Sequence, residues 1–215
     1  MGKEYEKINF EFSKHPLPYW FAKITIDRKR SFPRHSHQNF CEFILLKEGK
    51  GKVIIEGKPY AIDENSVVVF HPGVTHEEFY EPVNGDSELF YFTITDYIFN
   101  GEKNSALLPP GCPPHLQLCG EKLEHLYGLV LRAIEEMQQK KVGYDNLATL
   151  LCMEISIKIL RLFDEKYNLF IPAEASDKTN LVMKIKLFLE NNYSNTDLTI
   201  KSLEKEFFLS QYYNK

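Results

Sequence analysis

Between residues 19 and 98 the chain alternates short apolar runs with breaks marked by Gly, Pro and polar residues. The runs at 19–26, 40–46, 52–56, 59–62, 66–70 and 88–94 are aromatic and β-branched, and each is short enough for one strand. Gly57-Lys58 separates two of them as a turn, and Pro72-Gly73 stops another. Many short strands at regular spacing predict an antiparallel barrel or jelly roll. Residues 100–120, with Pro109-Pro110-Gly111-Cys112-Pro113-Pro114, read as irregular.

The period then changes. Leu123, Leu126, Tyr127, Val130, Leu131, Ile134 and Met137 recur at helical spacing, so 121–141 reads as an amphipathic helix. Lys140-Lys141-Val142-Gly143 supplies the cations and glycine of a helix end. A second helix is expected over 145–167. Its apolar residues cover more than one stripe, so it needs two partners, either within its own domain or with one face on a second subunit. Residues 170–180 read as a linker. Two further helical patterns follow at 181–189 and 198–207, with Thr199 as the N-cap of the second.

Composition adds limits rather than an activity. The net charge of −4 gives no whole-chain electrostatic case for nucleic acid. From Lys178 onward, however, six lysines face four carboxylates, leaving a tail of +2 on a body of −6. Cys41, Cys112, Cys119 and Cys152 form no C-x-x-C pair, which with the charged start Met1-Gly2-Lys3-Glu4 favours reduced thiols and a cytoplasmic protein. No apolar run is long enough to cross a membrane.

The chemistry sits in two runs, Arg34-His35-Ser36-His37-Gln38-Asn39-Phe40-Cys41-Glu42 and Phe70-His71-Pro72-Gly73-Val74-Thr75-His76. Residues one apart on a strand share a face, which places His35 and His37 together and Arg34 opposite. With Glu42 and His76 they form a candidate cluster inside a small barrel, where such a fold keeps a ligand or a metal. Neutral imidazole and carboxylate suit a divalent transition metal, and pocket lining without metal is the other reading. Phe43, Phe70 and Phe92 are the aromatic candidates for the same pocket.

The first run resembles the cupin signature, in which H-x-H is followed by Glu and Gly, here His35, His37, Glu42 and Gly49. The second resembles the later cupin motif P-G-x-x-H, here Pro72, Gly73 and His76. The order of parts is similar to that of AraC family transcriptional regulators. That resemblance implies a mostly β fold with C-terminal helices: a cupin-like effector-binding jelly-roll barrel (1–120), a two-helix dimerisation region (121–169), the linker (170–180) and an incomplete helix-turn-helix domain (181–215). It implies a non-enzymatic, ligand-responsive DNA-binding regulator, with a metal-dependent cupin enzyme of dioxygenase or isomerase type as the alternative.

It further implies a small-molecule effector, a sugar being common among relatives, a homodimer joined through Leu150, Leu151, Ile155, Ile159 and Leu162, and DNA as partner of the full-length protein. Ser210 matches the start of the recognition helix, and Lys201, Gln211, Tyr212, Asn214 and Lys215 are the candidate DNA contacts. The tail departs from the motif at Glu204, Phe208 and Asn214, and the second helix-turn-helix unit has no counterpart, so a truncated regulator is expected.

Overall fold

The computed structural model describes residues 5, 7–83, 85, 87–118, 120–171, 185, 188–189 and 198–207. They divide into two compact units, 1–169 and 170–215. The first unit holds both the barrel and the helix pair.

Its strands are β1 (Phe12–Lys14), β2 (Leu17–Ile26), β3 (Arg30–His35), β4 (Phe40–Leu46), β5 (Lys50–Ile55), β6 (Lys58–Asp63), β7 (Ser66–Phe70), β8 (His76–Glu81), β9 (Ser87–Thr95), β10 (Ile98–Phe99), β11 (Glu102–Lys103) and β12 (His115–Gln117). One sheet has five strands in the order β12-β7-β4-β9-β2, and a second has four in the order β3-β8-β5-β6. A small third sheet is β1-β10-β11. Every pairing is antiparallel. This is a cupin-like jelly roll.

The two large sheets enclose an apolar cluster built from Ile26, Ile44, Leu46, Val53, Ile62, Val68 and Leu89, closed by Phe70, Tyr80 and Tyr91. These residues alternate along their strands with others on the outer face. Two glycines are required by close approaches, Gly49 in the turn between β4 and β5 against Ser87 of β9, and Gly51 within β5 against β8. Gly49 takes φ +114° where a Cβ would meet Ser87 Oγ at 2.7 Å, and a Cβ on Gly51 would collide with the Phe79 carbonyl.

The outer face of the five-stranded sheet is as apolar as the inner one. Phe43 stacks on Phe92 at 4.3 Å, and Phe92 stacks on Phe21 at 5.6 Å. Two helices cover this side: α1 (Gly120–Gln139) and α2 (Tyr144–Tyr167) both contact β2, and Phe90 meets Tyr127 of α1. A sheet buried on both faces explains why β4 and β7 read as continuous apolar runs rather than as alternating ones. Among the described residues no helix is long and apolar enough to cross a membrane.

The structure corrects part of the interface expected for α2. Leu151, Ile155 and Ile159 are buried within this chain, in one stripe with Ala148, Cys152 and Phe163, so they have no surface left for a partner. Leu150 is 67% exposed and Leu162 is half-buried, so only these two of the five face outward.

In the second unit, α3 (Ile200–Glu206) starts at Thr199. Thr199 and Ser202 form a reciprocal capping box, the Ser202 N–H donating to Thr199 Oγ1 at 3.1 Å and the Thr199 N–H to Ser202 Oγ at 2.8 Å. Lys201 is exposed on this helix. Gln211, Tyr212, Asn214, Lys215 and Ser210 lie outside the described residues.

Candidate functional site: a histidine and carboxylate cluster at the mouth of the barrel

His35 reaches the barrel interior because β3 is irregular. Phe32 pairs with Glu78, but His35 pairs with His76, so the β3 side spans three residues while β8 advances two. That bulge at Pro33-Arg34 lets Phe32 and His35 share the inner face, and Arg34 is left exposed. His35 Nδ1 lies 2.7 Å from the Pro33 carbonyl within the bulge. His37 is beyond the end of β3, so strand alternation is not what brings it to His35. The turn is pinned instead by the Gly73 N–H, which donates to the His37 carbonyl at 2.7 Å.

Glu42 enters from β4 and His76 from the first position of β8. The four side chains place ligand atoms within 4.8 Å of one another. His37 Nε2 is 3.3 Å and His76 Nε2 is 3.6 Å from Glu42 Oε2. The His76 and Glu42 side chains are 1% and 7% exposed, whereas His37 is 26% exposed, so the cluster opens to solvent on the His37 side.

The electrostatics follow from this packing. Burial pushes the Glu42 carboxyl up, but His37 and His76 outweigh it and hold it below its ordinary value. Burial lowers His76, and Glu42 with the Val74 carbonyl more than restores it, so its pKa is raised. His35 is lowered, chiefly by burial.

The set fits a divalent metal. His76 Nδ1 is 3.1 Å from the Val74 carbonyl, as His35 Nδ1 is near that of Pro33. A carbonyl only accepts, so each Nδ1 carries the hydrogen, and neutral His76 turns an Nε2 lone pair inward. Glu42 Oε2 and His76 Nε2 are both buried without a hydrogen-bond partner among the described residues. Two facing acceptors are reconciled by protonation of His76, by a donor on a ligand, or by a cation.

Phe70 is on the inner face and stacks on His76 at 3.9 Å. Phe43 and Phe92 are not pocket residues. Glu42 faces inward, so its neighbour Phe43 must face outward, and Phe92 is the cross-strand partner of Phe43.

The sequence reading also missed a second buried carboxyl. Glu78 accepts hydrogen bonds from the Tyr80 hydroxyl and, at 2.7 Å, from the Tyr91 hydroxyl. Burial pushes Glu78 up to about 7 despite those donors. The signal was there: His76-x-Glu78-x-Tyr80 is a period-two row, with polar groups on the inner face.

A model of the AraC-like ligand binding domain matches residues 18–155. The chain belongs to that family. No curated protein matches it. Among solved structures, this AraC-like domain is similar to a predicted oxalate decarboxylase from Thermotoga maritima, with 23% identity over 36% of this chain and 67% of that one, at a TM-score of 0.33. KdgF from a Halomonas species shares 13% identity over 44% of this chain and 94% of its own, also at 0.33. A cupin protein from Bacteroides fragilis shares 14% over 43% and 86%, at 0.31.

Proposed function

We propose that the chain is the sensing part of a ligand-responsive transcription regulator, and that its effector binds at the His35, His37, Glu42 and His76 end of the barrel. The observation that carries the reading is the convergence of these four groups at the open end of an AraC-like ligand binding domain whose deeper interior is filled by apolar side chains. The effector acts only by as much as it binds one arrangement of the regulator better than another. The second unit belongs to the DNA-binding part, with Lys201 on α3 and Gln211, Tyr212, Asn214 and Lys215 as contacts. Subunits pair through the outward residues of α2, Leu150 and Leu162.

The test is a thermal-shift screen of small molecules on the purified chain. Compounds that stabilise the wild type but not His37→Ala, remain chemically unchanged on incubation, and alter retention of DNA from upstream of the gene support the reading. Conversion of a stabilising compound into a product refutes it.

A second reading is favoured by the inward Nε2 atom of neutral His76 and the unpartnered Glu42 oxygen: a metal centre held by His35, His37, Glu42 and His76. A bound transition metal supplies Lewis acidity there. The protein orients the rings through Pro33 and Val74. Elemental analysis after dialysis against a weak chelator decides it. About one equivalent of metal, lost in His37→Ala, supports a metal centre; none removes it.

A further inference from the structure

Three features of the mouth bear on what the effector is. The first is the shape of the way in. In β2, Pro18 pairs with Ile94 and Trp20 with Thr93, so Tyr19 is an extra residue in a bulge. Tyr19, 61% exposed, stacks on Phe40 at 5.1 Å and 22°, and Phe40 stacks on His37 at 4.3 Å and 23°. A column of nearly parallel rings thus runs from solvent to the cluster. Trp20, 46% exposed, lies in the cross-strand row Trp20-Thr93-Glu42-Phe70 on the barrel face, 5.8 Å from the ring of Tyr91.

The second feature is charge. The buried charged side chains of the barrel are Glu42, His76 and Glu78, and no described Lys or Arg is buried. The guanidinium of Arg30 is exposed and lies over the ring of Phe32. A carboxylate or phosphate effector would meet two buried carboxyls and no buried cation of fixed charge.

The third is hydrogen bonding. Glu42 Oε2 is buried without a well-formed hydrogen bond among the described residues, its near polar neighbours being His37 Nε2 at 3.3 Å and His76 Nε2 at 3.6 Å. Of the other polar groups of the wall, Thr93 Oγ1 donates to the Trp20 carbonyl, Thr95 Oγ1 to the Asn39 carbonyl, and Glu78 receives two tyrosine hydroxyls, while the His35 and His37 rings stand in the same cluster as Glu42. A polyol needs partners spread around it. This wall offers acceptors at one focus and flat apolar rings elsewhere.

We propose that the effector is an uncharged planar aromatic molecule bearing a hydroxyl or N–H donor, its ring against Tyr19, Phe40 and Trp20 and its donor on Glu42. This rests on the effector site proposed above. A phenol meets each requirement: its face extends the ring column, its O–H satisfies Glu42 Oε2, and it brings no negative charge.

Calorimetric titration of the chelator-treated protein tests each clause separately. The probes are 4-methylphenol, 4-methylanisole (no donor), 4-methylbenzoate (an anion), cyclohexanol (not planar), and a set of aldopentoses and aldohexoses. Trp20 is the single tryptophan, so its fluorescence reports on the same mouth. The expected result is 4-methylphenol binding at least about tenfold more tightly than every other probe, with a change in Trp20 emission. Tyr19→Ala and Trp20→Ala, at exposed positions, weaken it about threefold to tenfold while leaving the melting temperature in place.

Equal or tighter binding of 4-methylbenzoate or 4-methylanisole overturns the proposal, as does the absence of 4-methylphenol binding. Sugar binding that is lost in Glu42→Gln also overturns it and leaves the sensor reading standing. The sensor reading itself falls only if a compound that stabilises the chain in the thermal-shift screen is converted into a product.

Discussion

Replacing Glu78 by Gln should make the protein more stable at alkaline pH and change little at acid pH. Glu78 is 2% exposed, and burial raises its carboxyl from 4.5 to about 7. A raised acid holds its proton more tightly in the folded state than in the unfolded one. Between those two values the folded state therefore binds more protons, and stability falls as pH rises, levelling off above about 7. A separation from 4.5 to about 7 corresponds to about 3 kcal/mol at about 1.4 kcal/mol per pH unit. Gln has the shape of the protonated acid, and its carbonyl oxygen still accepts from the Tyr80 and Tyr91 hydroxyls. Urea denaturation of both proteins from pH 5 to pH 9, with equal m-values, measures the difference. The expected curve is about 1 kcal/mol at pH 5 and rises to about 3 kcal/mol in favour of Glu78→Gln above pH 8. Parallel stability profiles would refute the reasoning, because they would mean that Glu78 ionises in the folded protein as readily as in the unfolded one.

The remaining predictions use other parts of the molecule. Phe43→Ala should cost about 3–5 kcal/mol of unfolding free energy and leave the affinity of a site ligand unchanged, since Phe43 belongs to the face under the helices. Leu150→Glu should convert dimer to monomer in light scattering with little effect on the melting temperature, whereas Ile155→Ala should cost about 2–5 kcal/mol in either state. Glu42 contributes stability that is present above its ordinary value of 4.5 and is lost as pH falls through its lowered folded value, so Glu42→Gln should flatten the acid limb of the urea stability profile. Gly51→Ala should cost about 1–3 kcal/mol by chemical denaturation, because the added methyl meets the Phe79 carbonyl.

How far the fold could be read beforehand depended on where the polar side chains went. The apolar runs at 40–46 and 66–70 became β4 and β7, because strands buried on both faces are continuous in sequence. The helices at 121–141 and 145–167 are α1 and α2 to within two residues at each end, because their breaks carry a lysine pair and a glycine at φ 82°. That same two-sided burial is what misplaced Phe43 and Phe92. When both faces of a sheet are apolar, composition no longer says which face a residue is on, and only the registration of Glu42 to the cluster does.

The strands that carry the site are the ones the pattern hides. β8 reads HEEFYE, an unremarkable polar segment by composition, yet His76, Glu78 and Tyr80 form its buried row. β3 contains Pro33 and Arg34 and shows no clean alternation, because its bulge adds a residue between Phe32 and His35. A small barrel can be specified by apolar alternation over most of its wall, but a site that gathers imidazoles and carboxylates must break that alternation wherever its own residues stand. The bulges at Pro33-Arg34 and at Tyr19 do this on the two edge strands β3 and β2. One turns His35 inward; the other makes room for Tyr19 beside Trp20. The irregularities that made these segments hard to read are therefore what brings the cluster and its aromatic approach to the open end of the barrel.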